Sequence, residues 1–373
     1  VMFDTMRGLH AGGNDKALFP NQDTVEQNRS AGNIWPLDVG FRMHGSTDAK
    51  VNGNNDKYIF IAVRALCGAV STTPTLGTEV FAMDTGAGSS TIPNYDSGFP
   101  VDFALARATA SDSNWRTGAR LMGEEYLVTN TTAAEVDNTD FAWDSNVGWS
   151  KDNFAATFQS WMWKRGAGFD VVAYSGNQTS GRQIRHNLSK TPEMIWVKAR
   201  SGVTGSWVVG HKGLNGGTDP WDYSLVLNTD GVEADNVNKW NDQAPNSTHF
   251  TLGNSSWVNH SSDCSYIAML FASVEGISKC GFYAGSGSPV TLDLGFSPRF
   301  IVTKNRSGGN SWSMYDTLRG IVAGNDKQLY MEQNWAQGNT RDALDLTSNG
   351  VTFNSVHADT NIAGGNYIYY AHA

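Results

Sequence analysis

The chain has 373 residues, a formal net charge of −9 with 17% charged residues, and 40% apolar residues that include 13 Trp, 12 Tyr and 17 Phe. That apolar and aromatic content builds folded cores and excludes a disordered polypeptide. The acidic balance argues against nucleic acid as a partner, because phosphate binding calls for basic patches; no apolar run approaches the ~18–20 residues of a membrane span, so no membrane insertion is expected.

The chain opens on Met2-Phe3-Asp4-Thr5-Met6-Arg7-Gly8, followed by Gly13-Asn14-Asp15-Lys16 and Leu18. The same pattern returns as Trp312-Ser-Met-Tyr-Asp316-Thr317-Leu-Arg319-Gly320, then Gly324-Asn325-Asp326-Lys327 and Leu329. A repeat of this kind marks a modular chain. The opening match falls in mid-repeat, so the chain is expected to be part of a longer polypeptide. Its first copy would be the C-terminal part of a truncated repeat, residues 1–65.

Three fuller copies follow, at 76–165 (the most divergent), 168–273 and 278–373. Each opens on a short apolar strand: Phe81-Ala-Met-Asp84, Val171-Val-Ala-Tyr174 and Cys280-Gly-Phe-Tyr283. A second strand ends on a cation, at Arg107, Lys198 and Lys304, and a tryptophan follows 8, 9 and 8 residues later, at Trp115, Trp207 and Trp312. A leucine-led run comes next, at Leu18, Leu127, Leu225 and Leu329. Each copy closes on an aromatic-rich strand starting at Tyr58, Phe158, Tyr266 or Tyr367, separated by 100, 108 and 101 residues.

A period near 100 residues exceeds a solenoid unit and suits a small domain. Short strands between Gly-, Asn- and Ser-rich turns, with no sustained 3.6 period, predict an all-β chain of tandem β-sandwich, jelly-roll-like domains. Linkers as short as Arg165-Gly-Ala-Gly168 predict a semi-rigid rod. The best candidate for an isolated helical turn is Thr131-Thr-Ala-Ala-Glu135-Val. The landmark tryptophans read as core anchors between the two sheets of a domain.

The sharpest recurring polar motif is Asp-Thr-x-Arg-Gly, at Asp4 to Gly8 and Asp316 to Gly320. As a ligand site, Asp4 and Asp316 would accept sugar hydroxyls, and Arg7 and Arg319 would hold an anion. As a turn, Asp caps backbone amides and braces the Arg while Gly takes positive φ. The turn is the preferred reading, because His211-Lys-Gly213 stands at the corresponding place in the third copy. No H-E-x-x-H, C-x-x-C, G-x-S-x-G or phosphate-loop motif occurs, so neither a metal, a cofactor nor an enzyme centre is expected. Cys67, Cys264 and Cys280 make no disulfide framework, although a 264–280 bridge is conceivable.

Segments such as Phe169-Asp-Val-Val-Ala-Tyr174-Ser-Gly176, Thr191-Pro-Glu-Met-Ile-Trp-Val-Lys198, Gly295-Phe-Ser-Pro-Arg-Phe-Ile-Val302 and Asp316-Thr-Leu-Arg-Gly320 resemble modules of long tail-fibre or appendage proteins of marine tailed phages, cyanophages among them. The resemblance covers essentially the whole chain. It implies a structural protein on the virion surface, extracellular in setting, that contacts other virion proteins and adheres to a host-surface glycan. By the same analogy, fibre subunits associate, and a homotrimer is expected. Two alternatives from other classes are a carbohydrate-binding array of a secreted or cell-surface bacterial protein and a polysaccharide-degrading spike.

Overall fold

The computed structural model describes residues 1–4, 15–29, 33–37, 40–44, 50–63, 74–88, 92–151, 157–354 and 357–373. The chain is all-β, as its composition and turn spacing led one to expect; its one α-helix among these residues is the four-residue Val237–Trp240.

The second, third and fourth copies each form one large antiparallel sheet with the same order. The closing strand lies in the middle, between the opening strand and the second strand. In the second copy Phe158–Trp163 pairs with Phe81–Thr85 and Phe103–Ala108. In the third Ser265–Phe271 pairs with Phe169–Ser175 and Met194–Ser201. In the fourth Asn366–His372 pairs with Ser278–Ala284 and Phe300–Asn305. Further strands extend the sheets outward from the second strand, starting with Arg116–Ala119, Val208–His211 and Ser313–Asp316.

A small sheet accompanies each large one. The pairs are Tyr95–Asp96 with Gly148–Trp149, then Arg182–Arg185 with His249–Leu252, and finally Gly350–Phe353 between Val290–Asp293 and Leu344–Thr347. Each copy thereby gains a core of its own. In the third copy this core holds Tyr174, Ile195, Val197, Tyr266, Ala268 and Leu270.

Successive side chains of a strand point to opposite faces. The alternate residues of the same strands, Met194, Trp196, Ile267, Met269 and Phe271, point the other way and are also buried. They enter a single cluster shared by three copies, with Phe81, Phe103, Leu105, Trp161 and Trp163 from the second copy and Phe300, Val302, Met314, Ile368 and Tyr370 from the fourth. The ring contacts cross every boundary: Phe81 to Phe300 at 5.4 Å, Phe103 to Phe169 at 5.6 Å and Phe271 to Tyr370 at 4.9 Å between centroids.

The rod expected from the short linkers is therefore replaced by three copies packed around a common axis. Both faces of each large sheet are apolar, and a rod would leave one of them in water. Close approach at the seam between the second and fourth copies is visible at Gly77, where an added Cβ would lie 2.3 Å from the Ala373 carbonyl oxygen.

The first copy has two described hairpins, Asp15–Ala17 with Gln27–Arg29 and Asn33–Leu37 with Gly40–His44. Its expected closing strand is not formed: residues 58–63 pair with nothing regular, and Ile59 and Ile61 are 100% and 92% exposed. In the other copies the matching strand lies between two neighbours, the opening and second strands, and no described residue of 1–57 pairs with residues 58–63 as a counterpart of either.

Candidate functional site

The strand-ending cations are the first functional residues to place. Arg107, Lys198 and Lys304 are each fully buried. Each reaches into the loop that follows the leucine-led strand of a neighbouring copy. Lys198 Nζ donates to the carbonyls of Thr132 and Ala133 at 3.2 and 2.7 Å. Lys304 Nζ donates to the Asp230 carbonyl at 2.9 Å. Arg107 donates to the carbonyls of Gln333, Asn334 and Trp335 at 3.1, 3.0 and 2.6 Å. Charge-assisted bonds of this kind are the stronger class of hydrogen bond. Burial pushes both lysines down to about 8 and Arg107 down to about 10.

The landmark tryptophans repeat the pattern in the same rotational sense. Trp115 Nε1 donates to the Tyr330 carbonyl at 2.8 Å, Trp207 to Val128 at 2.9 Å and Trp312 to Val226 at 3.1 Å. They anchor one copy to the next rather than one sheet to the other within a copy. A backbone bond completes the set: Glu135 N–H to the Arg200 carbonyl, Glu233 to Arg306 and Gln337 to Thr109, at 2.9, 2.8 and 2.8 Å. Second copy to fourth, third to second and fourth to third, the three joints close a pseudo-threefold ring within one chain.

These joints also explain why the expected helical turn at 131–136 is absent. The carbonyls of Thr132 and Ala133 accept from Lys198, and the Glu135 amide donates to Arg200. Backbone groups engaged across the boundary are not available to an intrahelical ladder. Arg200 adds ion pairs to Glu135 and Glu125 at 2.6 and 3.3 Å, and Arg306 pairs with Glu233 at the next joint.

Of the residues singled out in the sequence, Arg7 lies outside the described residues and Asp4 is half-buried. Asp316 and Arg319 come together inside the ring. Asp316 Oδ1 accepts the Arg319 amide at 2.8 Å, and its Oδ2 takes Arg319 Nε at 2.5 Å. The same carboxylate accepts Gln159 Nε2 and the Trp161 indole N–H from the second copy, at 3.2 and 3.0 Å. Asp316 has no exposed surface and Arg319 is 7% exposed. Cross-strand register places His211 opposite Met194 as Asp316 stands opposite Phe300. His211 also bridges copies: its Nε2 faces the Tyr369 carbonyl at 3.2 Å, and its Nδ1 accepts the Gly213 amide at 2.9 Å. Asp and His thus serve one structural position with different chemistry.

The conceivable 264–280 disulfide is not formed. Cys264 is buried in the third copy's own core and Cys280 in the shared one, both as free thiols; Cys67 lies outside the described residues. Among the described residues no group of three or more His, Cys, Asp or Glu is placed to hold a metal ion, and no helix is long and apolar enough to cross a membrane.

The joint loop of the fourth copy leaves an aromatic at the surface. Trp335 is 55% exposed and sits in the loop that Arg107 grips. Its ring stands edge-on to Tyr330 at 6.1 Å. Tyr330 Oη lies 3.3 Å from Asp359 Oδ2, which also faces His357 Nδ1 at 3.2 Å and Arg341 Nη1 at 3.5 Å. Burial, then Arg341, holds His357 below the usual imidazole range against the opposing pull of Asp359. Sequence reading missed this cluster because its members are spread from Tyr330 to Asp359 and carry no motif.

A protein family described as a domain of unknown function (DUF7483) matches residues 123–373. The chain belongs to this family. The match runs from within the second copy through the third and fourth, and so takes in the loops of all three joints. No curated protein and no solved structure matches the chain.

Proposed function

We propose that the chain is a structural module of an extracellular appendage, a virion fibre of the kind its repeats resemble, in which three copies in one polypeptide make a stiff adhesive head. The observation that carries this reading is the joint repeated three times in one rotational sense by Arg107, Lys198 and Lys304. A cyclic set of buried cations and indoles suits load-bearing. The threefold packing that a fibre obtains by associating three subunits is supplied here by three copies of one chain, and further self-association then acts between heads. Adhesion falls to the surface that differs from copy to copy.

Immunogold labelling of purified phage particles whose genome encodes the chain tests this reading. Label on the fibres is expected. Particles without label, with the protein recovered instead from a bacterial secreted fraction, would overturn it in favour of a secreted carbohydrate-binding array.

A further inference from the structure

The three joints are equivalent, so they show what the scaffold requires at each position. The shared backbone bond aligns Glu135, Glu233 and Gln337. Counting back two residues aligns Ala133, Gly231 and Trp335. Ala133 offers its carbonyl to a buried cation with a methyl side chain, and the third copy has only Gly231 at this place. The joint therefore has no use for an indole, yet the fourth copy carries one and holds it in water.

The backbone beneath this indole is fixed. Besides the Arg107 bonds, the Asn334 carbonyl accepts the Ser113 amide at 2.7 Å and the Ala336 amide donates to Asp112 Oδ1 at 2.9 Å. Together with Gln337 to Thr109, these bonds clamp the loop on both sides of Trp335. A side chain presented on an immobilised backbone loses little freedom when it binds.

The flanking groups define the chemistry. An indole that is 55% exposed offers flat apolar surface to the C–H face of a pyranose ring. The Arg341 and His357 side chains are each about a third exposed, at 35% and 33%, and offer planar donors and acceptors for vicinal hydroxyls beside the Tyr330 hydroxyl. The Arg341 charge is opposed by Asp359 at 3.5 Å, leaving no excess cation to select a uronate or a sulfate.

We propose that Trp335, Tyr330, Arg341 and His357 form a binding site for a neutral hexopyranose unit of a surface glycan, present in the fourth copy alone of the three in the ring. This rests on the adhesive reading above and names its ligand class.

The test uses the full chain with neutral tri- and tetrasaccharides of glucose, galactose and mannose, and with uronate-containing and sulfated oligosaccharides beside them. Binding is read by saturation-transfer NMR and titration calorimetry on wild type, Trp335→Ala and Trp335→Phe. A neutral oligosaccharide should bind weakly, in about the millimolar range that corresponds to ~4 kcal/mol. Trp335→Ala should weaken it at least about tenfold, with Trp335→Phe intermediate, and leave the melting temperature unchanged. The proposal is overturned if no neutral oligosaccharide binds, if acidic ones bind more tightly, or if Trp335→Ala binds as wild type does. It is also overturned if the wild type sediments as an oligomer and Trp335→Ala as a monomer, the indole then being covered by a second copy of the chain. Labelled fibres without sugar binding would sink this proposal alone, whereas sugar binding by a protein absent from particles would sink only the appendage reading.

Discussion

The indole of Trp161 donates to the carboxylate of Asp316 at 3.0 Å, joining two copies across 155 residues of sequence. The same carboxylate oxygen receives Arg319 Nε. A motif that recurs like a recognition loop is here the closure of a ring.

Arg319→Ala should consequently act on stability. It would leave the Asp316 carboxylate fully buried without its cation, a situation that costs about 3–5 kcal/mol. Urea denaturation should show a loss of that order. A melting curve identical to wild type would reject the brace and return Asp316 to the list of ligand residues.

Lys198→Met keeps the length of the side chain and removes the donor that holds Thr132 and Ala133. Bonds from a charged donor contribute about 1.5–3 kcal/mol each, so the loss of two predicts a destabilisation of about 3–6 kcal/mol. Because the joint ties two copies, the loss should lower one common transition. A second, separate transition for the third copy would show that the copies unfold independently.

Acid should loosen the ring before it reaches the carboxylates. Burial is the main reason His211 is held down at about 3 and His372 at about 4, while the unfolded chain titrates near ~6.5. Between those values the unfolded state binds more protons than the folded one, so stability rises with pH and is lost as pH falls below about 6.5. His186, lowered for the same main reason, adds in the same direction. The urea midpoint should fall between pH 6.5 and 5, and His211→Gln with His372→Gln should flatten that slope. A wild-type midpoint constant over this range would contradict it.

Residues 278–373 produced alone should not behave as a monomer. Their private core, with Tyr283, Ile301, Tyr315, Val351 and Phe353, stays within the copy. Their inner face, with Phe300, Val302, Met314, Ile368 and Tyr370, would be turned to water. Sedimentation equilibrium at micromolar concentration should show self-association, and a monodisperse monomer would show that the shared core is dispensable.

Much of the scaffold was legible in the sequence, for local reasons. Strand positions, the repeat and the all-β class follow from turn residues and from landmarks whose spacing near 100 residues survives divergence. Ile195-Trp196-Val197 and Ile267-Ala-Met-Leu-Phe271 are apolar at every position, where a sandwich with one face in solvent alternates polar and apolar. That continuity belongs to sheets buried on both sides.

The sequence by itself therefore determined which segments are strands, how they recur, and that each copy ends its second strand on a cation. It could not say where that cation goes, because its partners are backbone carbonyls, and every residue type carries one. Tertiary structure alone decided that the copies close into a ring, that Asp316 and His211 fill one role, and that Trp335 needs no place in the core. Those outcomes depend on contacts between residues 65 to 228 positions apart, and such pairings leave no trace in local periodicity.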